Sequence, residues 1–151
     1  MSAMAAVVDP LAPPTLAEVE AAARRLAPHI AETPVFHWTS PAARALFAPD
    51  TDVWLKLELF QVTGSFKVRA ALNVALSLDP ATRRRGFATF SSGNNAAAVA
   101  YAARIAGTTA KVVMIESANP ARVANCRRFG AEIVFASDVH SSVRGPSHIG
   151  R

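Results

Sequence analysis

Residues 64–69 are Gly-Ser-Phe-Lys-Val-Arg, and residues 52–59 before them are Asp-Val-Trp-Leu-Lys-Leu-Glu-Leu. From Val53 to Leu59, aliphatic side chains alternate with aromatic or charged ones, which predicts a strand. Ser65 then stands where a helix N-cap belongs, ahead of apolar residues at helical spacing. The sequence therefore predicts that Lys67 lies in the first turn of a helix that follows a strand.

Two interpretations of Lys67 stay open at this point. The dipole and the unpaired N–H groups of a helix start disfavour an ammonium ion, which favours a neutral amine able to act as a nucleophile. Most lysines, however, are ordinary solvated cations, and a lysine at an exposed helix start fits that description as well.

A second stretch bears on the same question. Residues 87–90, Phe-Ala-Thr-Phe, predict a short buried strand, and residues 91–95, Ser-Ser-Gly-Asn-Asn, lead from it into an alanine-rich helix. A small polar loop between a strand and a helix can bind an anion through its backbone N–H groups. Simple helix capping is the alternative role for Ser91, Ser92 and Asn94.

Together the two stretches resemble the fold-type II pyridoxal-phosphate enzymes, in particular the threonine/serine dehydratase and serine racemase group. That group carries the patterns Lys-x-Glu-x-x-Gln-x-Thr-Gly-Ser-Phe-Lys-x-Arg and Ser-x-Gly-Asn. The residues that match them are Lys56, Glu58, Gln61, Thr63, Gly64, Ser65, Phe66, Lys67 and Arg69, and then Ser91, Gly93 and Asn94. The resemblance covers about residues 15 to 136 and implies the N-terminal part of the tryptophan synthase β-like fold.

The resemblance implies pyridoxal 5'-phosphate as cofactor and a role for each site residue. Lys67 would hold the cofactor covalently and remove the Cα proton of the substrate, while Phe66 packs beside the cofactor. Asn94 would hydrogen-bond the cofactor's 3-hydroxyl. The substrate carboxylate would be received by the backbone of Ser91, Ser92, Gly93, Asn94 and Asn95. The reaction expected for the family is conversion of L-threonine or L-serine to a 2-oxo acid and ammonia.

The chain departs from the family pattern in several places. Asn95, Ala97 and Ala70 stand where histidine, glutamine and glycine are usual, and the seven scattered glycines include no counterpart of the family's phosphate-binding loop. We therefore expect a truncated dehydratase, read out of frame or ended near residue 137, that is inactive alone. The alternatives are a non-catalytic remnant or interaction module and a serine racemase-like enzyme. Within the family, Phe66 favours a dehydratase or racemase, and the cysteine-synthase branch differs by having Lys-Asp-Arg where this chain has Lys67-Val68-Arg69.

The rest of the chain predicts α/β architecture. Thr15-Leu16-Ala17-Glu18 has the spacing of a capping box, and strands at 86–90, 110–115 and 132–135 alternate with helices. This order predicts right-handed βαβ units in a three-layer parallel sheet with flanking helices. Residues 1–14 are predicted to be a flexible lead-in, residues 15–136 the dehydratase part, and residues 137–151 an irregular tail.

Composition limits the classes of function. The net charge is +5, yet the only run of three basic residues, Arg83 to Arg85, has no interleaved aromatics, so no nucleic-acid partner is expected. The four histidines have no metal-ligand spacing, and the single cysteine, Cys126, predicts core packing in a reducing, cytoplasmic setting. No apolar run is long enough to span a membrane. The expected partners are a small amino-acid substrate and a second copy of the chain.

Overall fold

The computed structural model describes residues 13–137, in which helices and strands alternate. The elements are α1 (Leu16–Leu26), β1 (Val35–His37), α2 (Pro41–Leu46), β2 (Trp54–Lys56), α3 (Lys67–Ser77), α4 (Pro80–Arg84), β3 (Phe87–Phe90), α5 (Asn94–Ile105), β4 (Ala110–Ile115), α6 (Pro120–Arg128) and β5 (Glu132–Ala136). The predicted lead-in and tail lie outside the described residues, except for residues 13, 14 and 137. Among the described helices, none is both long and apolar enough to cross a membrane.

Strands β3, β4 and β5 form a parallel sheet in that order, and its two connections are the helices α5 and α6. Alternate residues of β4 are buried, namely Ala110, Val112 and Met114. They pack against α5 and α6, so both helices cover the same face of the sheet. The predicted α/β class, the three parallel strands and the helices between them are confirmed.

Small side chains on α5 let this layer pack closely. Ala96, Ala100 and Ala103 belong to the same buried cluster as Cys126 of α6. Cys126 is fully buried, and burial raises the pKa of its thiol. The predicted role of Cys126 in core packing is therefore confirmed.

The opposite face of the sheet carries apolar side chains that have no cover in the described part of the chain. Phe90, Val113 and Val134 are lateral neighbours in the strand register, and Phe90 and Val134 are 41% and 38% exposed. The third layer of the predicted architecture is thus not among residues 13–137.

The segment before α3 differs from its prediction. The capping box at Thr15 is present, and α1 ends before Pro28 as expected. The strand predicted over 53–59, however, is limited to β2, which pairs antiparallel with β1. Glu58 to Phe60 form a 3₁₀ turn instead. The strand ends early because Glu58 turns inward to bind Arg69 and Thr33.

Helix α3 lies against α5, and this contact fixes the direction of the helix that begins at Lys67. Val68, Leu72 and Ala75 form a buried cluster with Ala98 and Ala102 of α5. A groove of about 310 Å³ runs between these helices and β3, lined by Ala70 and Asn95 near their starts and by Ala75 and Ala102 further along. The groove therefore brings Ala70 and Asn95, which lie near the starts of the two helices, to one surface.

Candidate functional site

Lys67 is the first residue of α3, as predicted, and its side chain is exposed. Its Nζ lies 5.1 Å from the centroid of the Phe66 ring, which is itself 58% exposed. The predicted cap at Ser65 is wrong. Phe66 has helical backbone angles and occupies the cap position, whereas the Ser65 hydroxyl is buried and has no hydrogen-bond partner among residues 13–137.

The amine of Lys67 differs from the other lysine amines of the chain. The sequence contains three lysines. Lys56 Nζ donates to the Thr33 carbonyl oxygen at 2.6 Å, and Lys111 Nζ pairs with Glu132 at 3.1 Å. Lys67 Nζ meets only the Phe66 ring within the described residues. A free amine at a helix start is the arrangement that a lysine nucleophile needs.

A charged clamp holds the turn that leads into α3. Arg69 donates two hydrogen bonds to Glu58, from Nε at 2.8 Å and from a terminal nitrogen at 2.7 Å. The Thr33 hydroxyl donates to the same carboxylate at 2.6 Å. The Arg69 guanidinium, helped by Thr33, lowers the pKa of Glu58 to about 2, and Glu58 in turn raises the pKa of Arg69. The clamp fixes Arg69 two residues beyond Lys67.

Gln61 adds a second connection in the same place. Its side chain accepts from the Ala31 and Val62 N–H groups and donates to the Ala31 carbonyl oxygen. Gln61 is 4% exposed, so these bonds satisfy a buried amide. The polar residues of the long motif thus bind the segment at 31–34 to the turn before Lys67. The role of Thr33 depends on a contact between residues 25 apart in the chain, which local sequence patterns do not reveal.

Some backbone and hydroxyl groups of the loop at 91–95 already make hydrogen bonds within the protein. Ser91 N–H donates to the Val113 carbonyl oxygen, and Gly93 N–H donates to the Ser91 hydroxyl. The Ser92 hydroxyl accepts from Ile115 N–H at 3.3 Å. The Ser91 and Gly93 amides are therefore already paired, and binding of the substrate carboxylate by this loop stays a prediction.

Three amides of the loop stay available. Ser92 N–H has no acceptor in the described region, and the N–H groups of Asn94 and Asn95 open α5, where no intrahelical acceptor exists. The Asn94 side chain is exposed and has no hydrogen-bond partner among residues 13–137, whereas the Asn95 amide donates to the Thr89 hydroxyl at 3.1 Å. Asn94 is thus free to bind a ligand, and Asn95 is partly committed to β3.

Arg122, in the first turn of α6, also lies at this loop. A Cβ atom added to Gly93 would be 3.3 Å from its Nη1 atom. Nothing in the sequence pattern singles out Arg122, because its position depends on how α6 returns along the sheet.

Ala70 and Asn95, near the starts of α3 and α5, line the same groove. The closeness of the Lys67 amine to the Asn94 side chain stays a prediction. Of the unusual residues, Ala70 is exposed and lines the groove, while Ala97 is buried in the core. The methyl group of Ala70 therefore meets no tight packing. Within the described ranges, no cluster of three or more metal-ligating side chains occurs.

The described chain thus has a parallel sheet with a small polar loop after β3, and an unpaired lysine amine begins the helix that packs against α5. The family model described as pyridoxal-phosphate dependent enzyme matches residues 26–146, so the chain belongs to this family. The resemblance to the fold-type II members is confirmed by solved structures with the same fold.

Individual relatives agree with this assignment. Phenylserine dehydratase from Ralstonia pickettii is 45% identical over 125 residues, which are 83% of this chain and 37% of the relative. The beta-hydroxyaspartate dehydratase from Paracoccus denitrificans is 40% identical over 129 residues, or 85% of this chain and 40% of the relative. Maize serine racemase superposes with a TM-score of 0.72 at 35% identity, over 81% of this chain and 36% of that structure. The chain thus spans less than half the length of these relatives.

Proposed function

We propose that this chain carries the cofactor-binding lysine of a pyridoxal-phosphate-dependent dehydratase that acts on small β-hydroxy amino acids, with L-threonine or L-serine as substrate. The net reaction converts the 3-hydroxy amino acid to a 2-oxo acid and ammonia. The observation that carries the proposal is the free Lys67 amine, held at the start of α3 by the Glu58–Arg69 clamp. The names of the dehydratase relatives support the class of substrate.

The residues present fit the cofactor in chemistry. Lys67 offers a free amine, Phe66 an exposed aromatic ring, and Asn94 an unpaired amide near the same end of the molecule. Lys67 would hold the cofactor, Asn94 would bind its 3-hydroxyl, and the amides of Ser92, Asn94 and Asn95 would bind the substrate carboxylate. When bound, pyridoxal phosphate supplies an electron sink for loss of the Cα proton. Lys67 is the residue proposed to accept that proton.

The test uses the small number of lysines. The full chain is incubated with pyridoxal phosphate, reduced with borohydride, and digested for peptide mapping by mass spectrometry. We expect the pyridoxyl label on Lys67, and we expect Lys67→Arg to lose it while Lys56→Arg and Lys111→Arg retain it. Equal labelling of all three lysines would contradict the proposed role of Lys67.

A second candidate function is a non-catalytic interaction module, and the uncovered apolar face at Phe90 and Val134 favours it. The similarity to maize serine racemase adds racemisation as a further candidate reaction. One assay separates the three: chain, cofactor and L-serine or L-threonine are incubated, and both 2-oxo acid and D-serine are measured. Lys67-dependent oxo acid supports the dehydratase, and Lys67-dependent D-serine supports the racemase. The absence of both products supports the module only if Lys67 also takes no pyridoxyl label. We expect the isolated chain to give little turnover, because its sequence contains no glycine-rich loop to anchor the cofactor phosphate.

A further inference from the structure

Arg122 presents a positive charge to the loop at 91–95. Its Nη1 atom lies 3.3 Å from the position that a Cβ atom on Gly93 would occupy. The backbone of Gly93 is extended, with φ −118°, so the absence of a side chain there is not required by backbone strain. What the missing side chain provides is room for the guanidinium against the loop.

The guanidinium of Arg122 has no ion pair or hydrogen bond in the part of the chain that the structure describes. Other exposed arginines, Arg127 among them, also have no partner among residues 13–137, so what distinguishes Arg122 is its position against Gly93. A guanidinium binds carboxylates preferentially, because its planar N–H groups match the two carboxylate oxygens.

The topology brings this charge to the place where a ligand binds. The loop at 91–95 follows β3, and the turn that leads to Arg122 follows β4, which is the parallel neighbour of β3. Adjacent parallel strands end at the same edge of the sheet, and ligands of open α/β sheets bind outside that edge. Arg122 and the unpaired amides of Ser92, Asn94 and Asn95 thus border one space.

We propose that Arg122 is a specificity-determining residue that binds a substrate carboxylate at the loop of residues 91–95. The proposal rests on the function proposed above, and it adds the Arg122 side chain to the backbone amides as a group that binds the carboxylate. The carboxylate has two chemical sources: the α-carboxylate of every amino-acid substrate, or the second carboxylate of a β-hydroxy dicarboxylic amino acid.

The experiment measures binding to the full chain without cofactor. Amide NMR shifts of Ser92, Asn94 and Asn95 are followed while L-serine or L-threo-3-hydroxyaspartate is added. We expect Arg122→Gln to raise the dissociation constant about fivefold or more, and Arg122→Lys to restore part of the affinity. The matched control is Arg127→Gln, which removes the same charge from an exposed position in the last turn of α6.

The two ligands distinguish the sources of the carboxylate. An equal loss for both ligands assigns Arg122 to the α-carboxylate, and a loss confined to hydroxyaspartate assigns it to the second carboxylate. If Arg122→Gln and Arg127→Gln weaken ligand binding equally, the effect comes from the overall charge of the chain, and the proposal is overturned. Unchanged affinity in Arg122→Gln, or no saturable shift in the original chain, would also overturn it. Labelling of Lys67 is measured separately, so failure of this proposal leaves the Lys67 assignment intact.

Discussion

At the scale of single residues, the side chains that most shape this site are not the ones that would touch the substrate. Glu58, Arg69 and Thr33 bind one another, and Gln61 binds the backbone at Ala31. Each of these bonds links the turn before Lys67 to a distant segment. Most polar residues of the motif around Lys67 therefore serve to position the Lys67 amine.

The Glu58–Arg69 pair gives the first prediction. Glu58→Gln should lower the free energy of unfolding at pH 7 by about 1–3 kcal/mol, because it leaves the Arg69 guanidinium without its anionic partner. The folded-state pKa of Glu58 is about 2, below its ordinary value of 4.5. The contribution of the pair is therefore complete above about pH 4.5 and is lost as the pH falls toward 2.

Urea unfolding at pH 7, 4 and 3 measures this difference. The gap between the original chain and Glu58→Gln should narrow at the lower pH values. The control is Glu132→Gln, which breaks an exposed pair with Lys111 and should change stability by less than about 0.5 kcal/mol. A gap of the same size at every pH would show that the ionised carboxylate is not the source of the stabilisation.

At the scale of elements, α3 and α5 are the important pair, because the lysine begins one and the polar loop leads into the other. Their contact is made by Val68 and Leu72 on one side and by Ala98 and Ala102 on the other. The small residues of α5 let the helices approach closely. A change of side-chain volume at this contact should therefore displace the starts of both helices.

Leu72→Ala should therefore destabilise the chain by about 2–5 kcal/mol, because Leu72 is fully buried and the cavity closes only partly. Val74→Ala is the control, on the same helix but 61% exposed, and it should stay within about 0.5 kcal/mol of the original chain. Chemical denaturation at low protein concentration measures both variants. Similar losses in the two variants would mean that α3 is not held by this contact.

The elements also show how far a sequence predicts its structure. Strand β4 and the helices opened by Asp79-Pro80 and Asn119-Pro120 were predictable, because their apolar period and caps are local signals. The strand at 53–59 and the cap at Ser65 were not. Both depend on where Glu58 and Ser65 point, and that is decided by Arg69 and Thr33 and by burial in the tertiary structure. The position of Arg122 at the loop was not predictable either, because it depends on how α6 returns along the sheet.

At the scale of the whole molecule, a large share of the apolar side chains is uncovered. Leu16 is 73% exposed, Trp54 59% and Leu59 63%, so α1 and the segment 53–59 leave apolar surface open. The free face of the parallel sheet, with Phe90 and Val134, adds a flat patch. Contiguous apolar patches of this kind favour association.

We therefore predict that the purified chain self-associates in a concentration-dependent way, measurable by sedimentation velocity. Val134→Lys places a charge on the open sheet face and should shift the distribution toward the monomer. Leu16→Lys adds the same charge on α1, away from the sheet, and should shift it less. A chain that stays monomeric at all concentrations would contradict the prediction.

The strand register has a consequence for synthesis. Each ladder joins segments about 20 residues apart, whether β1 with β2, β3 with β4 or β4 with β5. A chain leaving the ribosome can therefore complete each pairing soon after its second strand emerges. The bonds from Thr33, Glu58 and Gln61 can all form before residue 91 has left the ribosome. The turn that positions Lys67 can thus be in place before the loop at 91–95 emerges.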